Sequence, residues 1–190
     1  MYEVELKFDL KENERFIERL ENMTVRFRDS MEQIDRYFSH PIRNFAQTDE
    51  ALRLRQVGDE VKVTWKGPRV DTSAKVRQEI ELGVMPQGPT GQTTVLAWTE
   101  LLESLGFHQV FGVVKTRIPG RVHWHGRDGE GAIDTVVDLG RFAEFEIIAG
   151  EGEVPLARDC VESLARELGL ENPESASYLE LLLRKQEAPR

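Results

Sequence analysis

Charged and apolar residues alternate along one segment of this chain after another, and the charged positions carry both signs. Residues 3–8 read Glu-Val-Glu-Leu-Lys-Phe. An extended strand sends successive side chains to opposite sides, so Glu3, Glu5 and Lys7 share one face while Val4, Leu6 and Phe8 share the other. The division recurs with Arg53 and Arg55 against Leu52 and Leu54, and with Lys62, Thr64 and Lys66 against Val61, Val63 and Trp65. Arg77, Glu79 and Glu81 repeat it, as do Lys115 and Arg117, and then Glu144 and Glu146 against Phe145 and Ile147; Asp138 closes a Val-Val-Asp run.

Alternation and β-branched content predict strands over 3–8, 33–38, 51–56, 60–66, 76–82, 111–118, 133–138 and 142–148. Helical spacing predicts helices over 11–20, 93–105, 155–168 and 173–185, the last with Asn172 as its cap. Gly58 and Asp59 read as the turn of a hairpin. Stretches 83–91 and 119–131, rich in glycine, read as loops. Strands flank the first of these and repeat the same pattern, so residues 1–190 read as a single domain. About eight strands with few helices between them indicate an antiparallel sheet closed into a barrel, or a closely related α+β arrangement.

A closed barrel offers two arrangements. An apolar centre with a charged coat is self-consistent, because an eight-stranded barrel has room inside for side chains alone. In the reverse arrangement the charged faces line the interior. The amphipathic helices then have an apolar outer surface to cover, which the first arrangement denies them. Charges of both signs in a lumen are costly to desolvate unless they are paired or matched by a ligand. Such a lumen suits a polyphosphate held by Arg and Lys together with a hard divalent cation held by carboxylates. Periodicity alone leaves both arrangements open.

Composition removes other classes. The net charge of −9 argues against broad nucleic-acid binding, though not against a local cationic pocket. No apolar run is long enough for a membrane helix, and no secretory signal opens the chain, so a cytoplasmic location is expected. Cys160 is the only cysteine, which excludes internal disulfides and zinc sites built on paired cysteines, and it reads as a buried small hydrophobe.

The ordered set of E-x-E-x-K at Glu3, Glu5 and Lys7, R-x-R at Arg53 and Arg55, E-x-E at Glu79 and Glu81, K-x-R at Lys115 and Arg117, and E-x-E at Glu144 and Glu146 resembles the CYTH family of triphosphate tunnel metalloenzymes. DRYFSHP, TDEALRLR and WKGP resemble its class IV adenylyl cyclase branch, with Trp65 where tyrosine is common. The resemblance implies an eight-stranded antiparallel tunnel with a charged interior that binds a triphosphate with Mg²⁺ or Mn²⁺. Lys7, Arg53, Arg55, Lys62, Lys66, Arg77, Lys115 and Arg117 would then grip the phosphates, with Lys7, Lys115 and Arg117 acting in catalysis. Glu5, Glu144 and Glu146 would be the first ligands of the metal, with Glu3, Glu79, Glu81 and Asp138 as further acidic candidates. Arginine's planar fork suits phosphate oxygens, and Mg²⁺ takes few protein carboxylates beside water and phosphate.

Two reactions are open: cyclisation of ATP to cAMP with loss of pyrophosphate, and hydrolysis of thiamine triphosphate or inorganic triphosphate. A module that binds nucleotide or polyphosphate without turnover is the non-enzymatic alternative. The expected partner is a small-molecule triphosphate, with no nucleic acid and no membrane, for a monomer or homodimer. Asp35 and Tyr37 share a strand face and are candidates for the tunnel mouth. Residues 67–75 read as a flap carrying Arg69 and Lys75, and His123 and His125 as an exposed loop edge.

Overall fold

The computed structural model describes residues 1–10, 16, 19–20, 23, 25–71 and 75–187. The strands are β1 (Tyr2–Asp9), β2 (Arg26–Phe27), β3 (Met31–Ser39), β4 (Ala51–Val57), β5 (Glu60–Asp71), β6 (Lys75–Gly83), β7 (His108–Trp124), β8 (Arg127–Val136) and β9 (Gly140–Ala149). The helices are α1 (Phe45–Thr48), α2 (Gly91–Ser104), α3 (Val154–Glu167) and α4 (Tyr178–Glu187). Neighbouring strands run in the order β2-β7-β3-β4-β5-β6-β1-β9-β8, and a β7–β8 pairing closes the sheet. Eight strands thus form an antiparallel barrel, and two-residue β2 is an appendage on the far end of β7.

The helices lie outside and the charges inside. Val4, Leu6 and Phe8 of β1 are buried with Phe145 and Ile147 of β9 against Ala157, Val161 and Leu164 of α3. Leu54 and Phe38 pack with Leu102 and Trp98 of α2. On the other face of β1, Glu3 and Lys7 are 5% and 1% exposed. The outer coat is incomplete, since Ile80 and Leu82 of β6 remain exposed. Of the helix expected at 11–20, residues 11–15 and 17–18 lie outside the described residues; Phe16 and Leu20 are helical and buried in the same core cluster as the apolar side of α3.

Several boundaries differ from expectation. Stretch 119–131 is not a loop: β7 runs on through Pro119 to Trp124 and returns as β8. Gly120 and Gly129 serve close packing, since a Cβ on Gly120 would lie 3.0 Å from Phe27 and Val25, and one on Gly129 would lie 2.8 Å from the Glu146 carbonyl oxygen, while Gly126 takes the positive φ of the hairpin turn. Pro119 is paired with Ala132 of β8, and on its other side it falls between the part of β7 paired with β3 and the part paired with β2. The chain also departs from the expected flap, because β5 extends to Asp71 and residues 72–74 lie outside the described set. The last helix begins at Tyr178, not at 173. Asn172 has a left-handed φ of 58° and lies well before it. Ser177 is the cap: its hydroxyl accepts from the Glu180 N–H at 3.2 Å, and the Glu180 carboxylate accepts from the Ser177 N–H at 2.6 Å.

Candidate active site

Cross-strand register carries the charged faces into rows. Lys7 stands opposite Glu144 and Glu5 opposite Glu146 across β1–β9, while Glu3 meets Arg77 and Glu5 meets Lys75 across β1–β6. Asp35 faces Arg55 across β3–β4, and Lys66 faces Glu79 across β5–β6. These rows line a cavity of about 1540 Å³ that opens to solvent. Every phosphate-gripping candidate lines it, as do Glu3, Glu5, Glu79, Glu81, Glu144 and Glu146.

Asp138 is the exception and corrects the expectation for that residue. β8 ends at Val136, and Asp138 sits exposed in the following turn with a φ of 66°, its carbonyl accepting from the Lys185 ammonium. Asp134 occupies the lumen instead, with no exposed surface. Its carboxylate accepts from Lys115 Nζ at 2.7 Å, from Arg117 Nε at 2.7 Å and Nη2 at 2.6 Å, and from the Tyr178 hydroxyl at 3.0 Å. Arg117 also reaches Glu144. Burial and then Arg117 push Lys115 down to about 8, while neighbouring acids oppose the shift. Burial alone would raise Glu144, yet Arg117 and Lys115 outweigh it and hold the carboxyl well below its ordinary value.

A second cluster pairs Arg55 with Asp35 through two hydrogen bonds of 2.7 Å. Arg53 makes long ion pairs, 3.6 Å to Asp35 and 3.8 Å to Glu79 and Glu81, lies beside the Tyr37 hydroxyl, and its buried Nε has no hydrogen-bond partner. Burial would raise the Asp35 carboxyl, but Arg55 and Arg53 hold it far below the usual range. A third cluster joins Lys66 to Glu3 at 3.0 Å and Glu79 at 2.7 Å, Lys75 to Glu5 at 2.8 Å, and Lys62 to Glu81 at 2.7 Å. Lys75 was expected on a flap and instead stands in the lumen wall.

The C-terminal segment completes the wall. Lys7 donates to the Ala176 carbonyl, and its ammonium lies 4.2 Å from the centre of the Tyr178 ring. Burial, then Lys75, lowers Lys7 to about 7 against the pull of Glu144 and Glu5. Arg69 is tied down as well, bonding to Asp49, to Glu180 and to the Ser175 carbonyl at 2.8 Å. Asp134 and Tyr178 escaped sequence reasoning. An acid two residues past Ala132 in the alternating run Gly131-Ala-Ile-Asp134 was the available signal for the first.

Glu146 differs from the other lumen acids. Among the described residues its side chain has neither a hydrogen bond nor an ion pair, while Glu3 and Glu5 stand beside it. Burial first, then those two like charges, push it up to about 8. A raised carboxyl binds its proton more tightly folded than unfolded, so the stability it lends is full below about pH 4.5 and is lost as pH rises through about 8. In metal-free buffer, Glu146→Gln is therefore expected to gain melting temperature relative to the parent as pH climbs from 4.5 to 8. Parallel thermal scans across that window check this, and a difference independent of pH would contradict it. No three His, Cys, Asp or Glu residues among those described are grouped to hold an ion unaided.

His123 and His125 sit on the exposed tip of the β7–β8 hairpin, His123 against Asp128 at 2.7 Å and His125 stacked on Trp124. Cys160 is buried and free.

An antiparallel barrel with an ionic lumen under helices defines a tunnel-type fold. The CYTH domain model matches residues 1–178, and the chain belongs to the CYTH family. It is 34% identical over 146 residues to a Methanocaldococcus jannaschii protein that bears the name putative adenylate cyclase, a match covering 77% of each. The PH1819 protein of Pyrococcus horikoshii has a similar structure, at a TM-score of 0.82 and 39% identity, over 96% of this chain and 99% of that one. A Vibrio parahaemolyticus structure, also named a putative adenylate cyclase, shares the fold at a TM-score of 0.78 and 23% identity, over 96% of this chain and 98% of the other.

Proposed function

We propose that this protein is a divalent-metal-dependent enzyme acting on organic triphosphates, and that its reaction is cyclisation of ATP to cAMP and pyrophosphate. The observation that supports this most is the open-mouthed cavity with Lys7, Arg53, Arg55, Lys115 and Arg117 on its walls. Its volume of about 1540 Å³ leaves space for a nucleoside beside the phosphates, which an inorganic triphosphate would not use. The cyclase name carried by the Methanocaldococcus jannaschii relative agrees with the choice of ATP.

The donor set suits a hard cation. Glu146 is an unpartnered carboxylate beside Glu3 and Glu5, and Mg²⁺ needs only one or two protein carboxylates when phosphate oxygens and water complete its shell. Glu146 with Glu5 would hold Mg²⁺ or Mn²⁺, which supplies Lewis-acid stabilisation of phosphate charge when bound. Glu144 is held by Arg117, so its part is to fix that guanidinium. Arg53 and Arg55 orient the phosphate chain, and Lys115 with Arg117 stabilise charge on the departing pyrophosphate. Lys7 is the one lysine lowered to about 7, so near neutrality it holds or releases a proton at Nζ beside the phosphates.

The test is a product assay. With ATP and Mg²⁺ or Mn²⁺, cAMP and pyrophosphate are expected in equal amounts. Absence of cAMP over a broad pH range, with phosphate released from thiamine triphosphate or inorganic triphosphate, would replace cyclisation by hydrolysis. Metal-dependent calorimetric binding with no product from any of the three would leave a binding module.

A further inference from the structure

Tyr178 enters the lumen from the last helix and stands among cations. Its place is set locally. The Ser177 cap and the Glu180 carboxylate fix the first turn of α4, and Phe142 braces the ring at 5.1 Å between centres and 64° between planes. Both rings are buried. The ammonium of Lys7 lies 4.2 Å and that of Lys115 5.0 Å from the centre of the Tyr178 ring. These lysines come from β1 and β7, which are not neighbours in the barrel. A cation within about 6 Å of a tyrosine ring centre is attracted by the negative face of the π system, and more strongly where water is excluded.

A ring face differs from a carboxylate in what it leaves available. It attracts an ammonium without supplying a lone pair or a neutralising charge, so the remaining N–H donors stay open to another acceptor. Lys7 donates to the Ala176 carbonyl, and its register partner Glu144 pairs with Arg117 instead. Lys115 donates to Asp134 Oδ2 at 2.7 Å. That same oxygen accepts from Arg117 Nη2 at 2.6 Å and from the Tyr178 hydroxyl at 3.0 Å. The phenol therefore shares the oxygen with Lys115 and limits the hold of the acid on the lysine. We infer that Tyr178 is a positioning residue, an aromatic platform that keeps the ammonium groups of Lys7 and Lys115 in place with donors free for phosphate oxygens. This deepens the function proposed above and rests on the lumen holding a triphosphate. An uncharged side chain thereby sets the strength of a grip made by cations.

Graded fluorination of the ring separates this role from a purely structural one. Ring fluorine draws negative charge from the π face with little change of shape. Phenylalanine bearing one, two or three ring fluorines is installed at position 178, with Tyr178→Phe as the reference. Calorimetry with inorganic triphosphate and Mg²⁺ then gives affinity and stoichiometry for each protein. Affinity is expected to fall with each added fluorine, to about tenfold below the reference at the third, equivalent to about 1.4 kcal/mol. Stoichiometry is expected to stay constant, which separates a weaker grip from loss of folded protein. Equal affinity across the series would overturn the platform, as would a falling stoichiometry with unchanged affinity. A loss already complete in Tyr178→Phe would overturn it too, assigning the effect to the hydroxyl on Asp134. Failure of the parent to bind any triphosphate would instead remove the lumen reading proposed above.

Discussion

Replacing Asp134 by alanine is expected to destabilise the protein by about 3–5 kcal/mol, the cost of leaving buried charge without its partner. The carboxylate is wholly enclosed and accepts from Lys115, Arg117 and Tyr178 at once. Glu144 still faces Arg117 in the variant, so Lys115 bears most of the loss. That lysine is already lowered to about 8, and above this pH it sheds its charge, so the penalty is expected to shrink in alkaline buffer. Urea denaturation at pH 7 and pH 9 measures both effects. A change below about 1 kcal/mol at pH 7 would mean that the two cations find other partners.

Arg53→Ala is expected to weaken triphosphate binding by about 2 kcal/mol, or roughly thirtyfold, while disturbing the fold far less. The asymmetry follows from its contacts. Arg55 spends its fork on Asp35, whereas Arg53 makes ion pairs of 3.6 to 3.8 Å, lies beside the Tyr37 hydroxyl and keeps a buried Nε unmatched. A phosphate can take up those donors without breaking a short bond inside the protein. Titration calorimetry with a non-reacting triphosphate analogue provides the number. Unchanged affinity would show that the phosphate chain lies away from β4.

Most of the barrel could be read from the chain because period-two alternation is a local property. Once Glu3, Glu5 and Lys7 are assigned to one strand face, their shared side of the sheet follows without any knowledge of partners. Which side is inside is a global matter, and the amphipathic helices were the only hint. Asp134 and Asp138 have the same parity, so alternation did not separate them. The turn formers Asp138 and Gly140, both at positive φ, were the distinguishing signal. Gly120 and Gly129 misled for a different reason. They permit close approach of Phe27, Val25 and the β9 backbone, a need set by tertiary packing and invisible in a single sequence. Tyr178 reaches Asp134 across 44 positions, a contact that no local pattern announces.

The first strand finds its two neighbours at residues 75–78 and 142–149, and its Lys7 is matched by a carbonyl 169 positions downstream. Closure therefore waits for nearly the whole polypeptide, and the ionic channel stays wet until the last segments dock. Such distant pairings carry a large loop-closure entropy, which places folding on the slow side, in milliseconds to seconds. During synthesis the amino-terminal strand leaves the ribosome long before its partners, exposing Val4, Leu6 and Phe8 on an unpaired edge that a chaperone would be expected to shield.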